Sequence, residues 1–222
     1  MEIEESIIDY HHRISNKSSI YTKIFKPFCD RILAIVFLIV LSPLFLAVSI
    51  FIKFDSKGPV FFVQERLGYM GRVFKIIKFR SMITNAKRTP GQDLYETDPV
   101  ITKAGRILRR TSIDEIPQLI NILKEDMNFI GPRPPVTYYP RKINEYSSFE
   151  LQRFYVKPGI SGLAQVRCRE IHDWDINIPI DVEYVKNYSL SYDLKLFILS
   201  LFMFFKRDNI YSRDQKQQNA PS

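Results

Sequence analysis

An uncharged apolar run, ILAIVFLIVLSPLFLAVSIFI from Ile32 to Ile52, constrains this chain more than any other stretch. Its 21 residues would make a helix of about 31 Å, close to the thickness of a bilayer hydrocarbon core. At its centre stands Ser42-Pro43. Proline has no amide hydrogen for the carbonyl four residues back, here Ile39, and its ring clashes there; a helix interior bends or loses about 3 kcal/mol. Lipid tolerates such a break only where another donor re-satisfies the backbone, and the Ser42 hydroxyl can reach back to the Leu38 carbonyl. Lys23, Lys26 and Arg31 precede the run and Lys53 and Lys57 follow it, so both ends carry the charge that marks a cytoplasmic flank. Two arrangements fit these residues: a re-entrant hairpin that enters and leaves by one face, and a proline-kinked span.

The rest of the sequence divides around this run. Residues 1–22 are polar, 23–57 hold the apolar helix with its flanks, 58–206 form one compact body and 207–222 a polar tail. The polar start and the lack of a small-residue cleavage site after the apolar run argue against a cleaved signal peptide. At 45% hydrophobic residues the chain can bury a core and leave apolar surface for lipid. Cys29 and Cys168 are too few for a disulfide framework or a zinc site, which points to a reducing compartment. The histidines, His11, His12 and His172, are equally unsuited to an imidazole metal cluster.

Within the body, GPVFFVQERLGYMGRVFKIIKFRSM reads as two strands joined by a turn at Gly68 to Gly71, a β-hairpin. Lys78 and Arg80 share a face of its second strand by the period of two. Asn85 to Thr97 reads as a loop around Pro90-Gly91. A helical pattern follows from Ala104, with Ile116, Leu119, Ile120 and Leu123 at helical spacing. FIGPRPP and KPGISGLAQV read as loops or short extended pieces, and Leu194 to Phe205 as a core or interfacial helix. The fold class expected is mostly helical α+β, with a bent membrane helix, a hairpin and interfacial amphipathic helices.

Charge is concentrated. Of the net +8, most lies in Gln64 to Arg110, which holds eleven Lys or Arg against four Asp or Glu. Such a segment suits anionic lipid, nucleic acid or a phosphorylated substrate. Beside it, Asp114-Glu115 admits two readings. If Asp114 caps or opens a helix, Pro117 falls in the first turn, where its missing donor is harmless, and both carboxylates are ordinary helix-start residues. The same position, flanked by Arg109 and Arg110, also suits a nucleophilic carboxylate, a metal ligand and a diphosphate held together. Mg²⁺ fits that chemistry, since one or two carboxylates plus substrate phosphates commonly hold it. In GPRP, Gly131 to Pro134, two prolines fix the backbone around Arg133, either as a rigid turn or as a preset grip on phosphate.

Taken in order, SPL, QERLG, KFRSM, RRTSIDEIPQL, GPRP and PGISGLAQV resemble the monotopic polyprenyl-phosphate phosphoglycosyl transferases, the bacterial sugar transferase family, over roughly Lys26 to Lys206. The resemblance implies an enzyme that moves a phosphosugar from a UDP-sugar to polyprenyl phosphate, usually undecaprenyl phosphate, and releases UMP. It implies Asp114 as nucleophile, forming a covalent phosphosugar intermediate, with Glu115 as the Mg²⁺ ligand. Lys78, Arg80, Arg109, Arg133 and Arg169 match positions expected around the phosphates. It also implies a re-entrant helix broken at Ser42-Pro43, with the catalytic body on the cytoplasmic face of the bacterial inner membrane, in contact with phospholipid and without a nucleic-acid partner. Where relatives often read Asn-Gly-Arg after AQV, this chain has Arg167-Cys168-Arg169. The competing class is a non-catalytic membrane-anchored module that holds anionic lipid or nucleic acid through the basic segment. That class gives Asp114-Glu115 no role.

Overall fold

The structure, a computed structural model, describes residues 20–84, 98–168 and 173–205. The polar segment before Ile20, the loop expected over Asn85 to Thr97, Arg169 and the polar tail lie outside the described residues.

The apolar run forms two helices. One turn of π-helix, Tyr21–Phe25, leads into α1, Lys26–Val40, and α2 follows as Ser42–Asp55. The two arms are bent by 61°. The break falls at Leu41, with φ −88° and ψ 1°. Ser42 Oγ donates to the Ile39 carbonyl at 2.8 Å, not to Leu38 as expected. The reason is local: Ile39 is the carbonyl that Pro43 has no amide to serve, so the serine hydroxyl replaces the donor the proline removed. Among the described residues no single helix is long and apolar enough to cross a membrane, and the bent pair reaches that length only with both arms.

Each arm packs on a different part of the body. Ala34 of α1 meets Ile76, Leu119, Ile122 and Met127, whereas Val48 and Ile52 of α2 meet Phe79, Ala104 and Leu108. The opposite faces are bare: Ile39, Val40, Leu46 and Phe54 are all exposed. The start of α1 is clamped by charge. Lys26 and Asp193 are an ion pair, nearly all of it hidden from solvent. Tyr21 and Tyr184 each donate a hydroxyl to the same Asp193 carboxylate at 2.6 Å.

The expected hairpin is present as β1, Phe61–Leu67, and β2, Val73–Phe79, antiparallel with Phe61 opposite Phe79 and Leu67 opposite Val73. Its turn needs left-handed backbone at Met70 and Gly71, φ 55° and 70°, which glycine supplies at the second position. After α3, Lys103–Thr111, a 3₁₀ turn over Ile113–Gln118 runs into α4, Leu119–Leu123. The stretches expected as loops or short extended pieces contribute to a small parallel sheet: β3, Asn128–Ile130, lies beside β4, Gly159–Ser161. Between them is α5, Ser148–Leu151, and β4 is followed by α6, Leu163–Arg167. LAQVR is thus helical rather than extended. The last described elements are α7, Trp174–Lys186, and α8, Leu190–Phe205. Leu196 of α8 is buried while Leu194, Ile198 and Phe202 are exposed, so one face packs on the body and the other stays apolar and uncovered.

Candidate active site

The site forms where β2, the 3₁₀ turn and the GPRP loop meet. Asn121 of α4 makes the junction. Fully buried, it accepts from the Ile77 amide at 3.0 Å and donates to the Lys75 carbonyl at 2.7 Å. One side chain thereby pairs with β2 as a neighbouring strand would, on the edge opposite β1. The turn carrying Asp114 and Glu115 is held against the strand carrying Lys78.

The turn begins at Ser112 in a left-handed conformation, φ 51°. Glu115 N donates to the Ser112 carbonyl, three residues back. This corrects the expectation that Asp114 opens an α-helix: the i to i−3 pattern accommodates Pro117 within a 3₁₀ turn, and the α-helix starts only at Leu119. Asp114 and Glu115 lie in the first turn of the 3₁₀ segment, ahead of the α-helix.

Lys78 Nζ donates to Glu115 Oε1 at 2.6 Å, and Arg133 Nη2 lies 3.6 Å from the same oxygen. Arg109, in the last turn of α3, adds its charge at Asp114. The two carboxyls respond differently. Burial pushes Asp114 up to about 6, against the pull of Lys78, Arg109 and Arg133, with the Glu115 charge adding to the rise. Burial also works to raise Glu115, but Lys78, then Arg133, outweigh it and hold that carboxyl down at about 2. A pair tuned apart in this way supplies one permanently ionised oxygen donor and one carboxylate whose charge is only partly quenched by cations.

Arg133 follows β3. The Gly131 amide donates to the Ser161 carbonyl at 2.9 Å and the Gly159 amide to the Pro132 carbonyl at 3.0 Å. A Cβ on Gly131 would stand 2.4 Å from the Lys157 carbonyl oxygen, so the close approach that fixes the loop requires glycine. Arg133 itself is 45% exposed, free to meet a ligand.

Of the residues singled out from sequence, the fold brings Lys78, Arg109, Asp114, Glu115 and Arg133 together. Arg80 is engaged elsewhere. It donates to the carbonyls of Ser56 at 2.7 Å and Lys57 at 3.0 Å and to Ser56 Oγ at 2.9 Å. Ser56 and Lys57 directly follow Asp55, the last residue of α2, so Arg80, one residue beyond β2, pins the chain where it leaves that helix. Arg169 lies outside the described residues. Sequence reasoning gave no role to Arg66, whose Nη1 donates to the Pro134 carbonyl at 3.0 Å and whose charge helps lower Glu115. It sits in QERLG, and its alternation with Gln64 was the available signal.

Among the described residues no three His, Cys, Asp or Glu side chains converge as a metal cage. Asp114 and Glu115 are adjacent carboxyls, a pair whose chemistry suits an ion that keeps water and takes substrate phosphate oxygens, as Mg²⁺ does.

A family model described as bacterial sugar transferase matches residues 21–207. The chain belongs to the bacterial sugar transferase family. Among its relatives, the UDP-glucose:undecaprenyl-phosphate glucose-1-phosphate transferase of Xanthomonas campestris pv. campestris is 40% identical over 190 residues, 81% of this chain and 38% of that protein. The UDP-N-acetylgalactosamine-undecaprenyl-phosphate N-acetylgalactosaminephosphotransferase of Aeromonas hydrophila is 40% identical over 168 residues, 74% of this chain and 40% of the relative. A UDP-glucose:undecaprenyl-phosphate glucose-1-phosphate transferase of Caulobacter vibrioides is 37% identical over 194 residues, covering 82% of this chain and 70% of the relative. The chain spans about two fifths of the length of the first two. The bacterial sugar transferase region accounts for nearly all of the described fold.

Proposed function

We propose that the chain transfers a sugar 1-phosphate from a UDP-sugar to undecaprenyl phosphate and releases UMP, in two steps through Asp114. One observation carries the reading: an acidic pair, tuned apart in charge, stands among Lys78, Arg109 and Arg133. A binding module for anions has no use for a half-buried carboxyl pair inside its cationic surface, because the pair repels the ligand. The names of the relatives supply the substrate classes.

In the first step an ionised Asp114 oxygen attacks the phosphorus that carries the sugar. The phosphoanhydride bond breaks, UMP leaves, and an acyl phosphate joins Asp114 to the sugar phosphate. In the second step an oxygen of the lipid phosphate attacks that phosphorus and the Asp114 carboxylate is released. Lys78, Arg109 and Arg133 offset the charge that builds on the phosphate oxygens. Glu115, and Asp114 before it reacts, would hold Mg²⁺, which when bound supplies further neutralisation at the diphosphate. The bare apolar faces of α1, α2 and α8 support a seat in one leaflet of the inner membrane, with both ends of the bent pair at the cytoplasmic surface. A soluble nucleotide sugar and a lipid phosphate then meet at one plane. The test is Asp114→Asn in purified protein: UMP release from a UDP-sugar stops while membrane association persists. Wild-type turnover in that variant removes the reading.

A further inference from the structure

Arg133 can aim at phosphate only if its loop is held, and a second arginine holds it from behind. Arg153 Nη2 donates to the Arg133 carbonyl at 2.8 Å and, from the same nitrogen, to Asp181 Oδ2 at 2.6 Å. The side chains of Arg153 and Asp181 are 0% and 1% exposed. The guanidinium lies 5.4 Å from the Phe154 ring centre and 5.1 Å from that of Trp174. Asp181 and Trp174 both belong to α7. A chain of contacts therefore runs from α7, through one immobilised guanidinium, to the backbone of the residue that faces Glu115.

Stability alone is a weak reason for such a pair, since well-packed apolar residues of similar volume commonly serve as well or better than a buried ion pair. What an apolar pair cannot do is donate to the Arg133 carbonyl. We propose that Arg153, locked by Asp181, is a positioning residue that sets the aim of Arg133 at the substrate diphosphate. The proposal deepens the function above and rests on Arg133 meeting phosphate. An error of about 1 Å in such a group costs on the order of a hundredfold in rate, so a fixed carbonyl behind it has a measurable effect.

The experiment is a double-mutant cycle on UDP affinity, read by calorimetry on the full chain in detergent with Mg²⁺ present. Arg133→Ala is expected to weaken UDP by roughly tenfold or more, the range for a charge-assisted hydrogen bond. The paired substitution Arg153→Met with Asp181→Leu keeps the space filled and is expected to weaken UDP by about tenfold. Combined with Arg133→Ala, it is expected to cost less than about twofold further, because its effect passes through Arg133. Asp181→Asn, which keeps the shape and unlocks the guanidinium, should show the same dependence and serves if the paired variant does not fold. Additive losses in the combined variant, with thermal midpoints matched, overturn the proposal. An Arg133→Ala variant that binds UDP like wild type overturns instead the reading that Arg133 meets phosphate.

Discussion

Asp114 and Glu115 are neighbours in the chain, yet burial wins at the first carboxyl and raises it, while cations, Lys78 first and then Arg133, win at the second and lower it. Lys78 is bonded to Glu115 and only acts at a distance on Asp114. If Asp114 must be ionised to attack, turnover should fall as pH drops through about 6. Lys78→Met removes the largest influence that lowers Asp114, so the acid limb of the rate profile should move to higher pH. UMP release measured across pH 5 to 9, a range set by carboxylate titration, checks this, and an unmoved limb counts against it. Stability gives a second signature. A carboxyl whose folded value lies above its unfolded one destabilises the fold once ionised, fully above the folded value and not at all below the unfolded one. Asp114→Asn should therefore stabilise the protein by roughly 1–3 kcal/mol at pH 8. That gain should fade as pH falls from about 6 towards 4. Thermal unfolding at the two pH values checks both parts. At the same scale Arg80, two residues from Lys78 and expected on its face, is engaged by the carbonyls of Ser56 and Lys57, just past the end of α2. No local pattern in a sequence announces that engagement.

Among the elements, the broken helix and the hairpin were legible because their signals are local. Proline with a serine before it marks a bend that supplies its own replacement donor, and period-two alternation around glycines marks a hairpin. What was not legible depends on partners far along the chain. Asn121 bonds to β2 some 44 and 46 positions away, and Arg153 pairs with Asp181 across 28. LAQVR, expected within a loop or short extended piece because the glycines before it dominate the pattern, is helical; five residues are too few to show helical periodicity. Two predictions belong here. Gly131→Ala should separate β3 from β4, because the added Cβ meets backbone rather than a mobile side chain. A cost of roughly 2 kcal/mol or more is expected, with activity lost along with stability, as unfolding and assay together would show. Asp193→Ala should destabilise by about 3 kcal/mol, because buried Lys26 keeps only Asp30 at 3.9 Å and the Tyr21 and Tyr184 hydroxyls lose the carboxylate they donate to. Chemical denaturation in detergent checks that figure.

At the scale of the molecule, the bent pair and α8 present apolar surface while each arm of the pair packs on a cluster flanking the site. Under the proposed membrane seat the bend turns the chain back, so tags placed before Tyr21 and after Lys206 should both be found in the cytoplasm; an outward N-terminal tag would mean a kinked span. Above all, the proposed reaction requires Asp114 to carry the sugar phosphate between the two substrates. The direct measurement offers purified protein a panel of UDP-sugars without lipid acceptor and reads UMP release and intact protein mass together. The expected result is one burst of UMP stoichiometric with enzyme, a mass gain of one sugar phosphate, and neither in Asp114→Asn. UMP release that requires the acceptor from the start, with no adduct under any sugar, would contradict it.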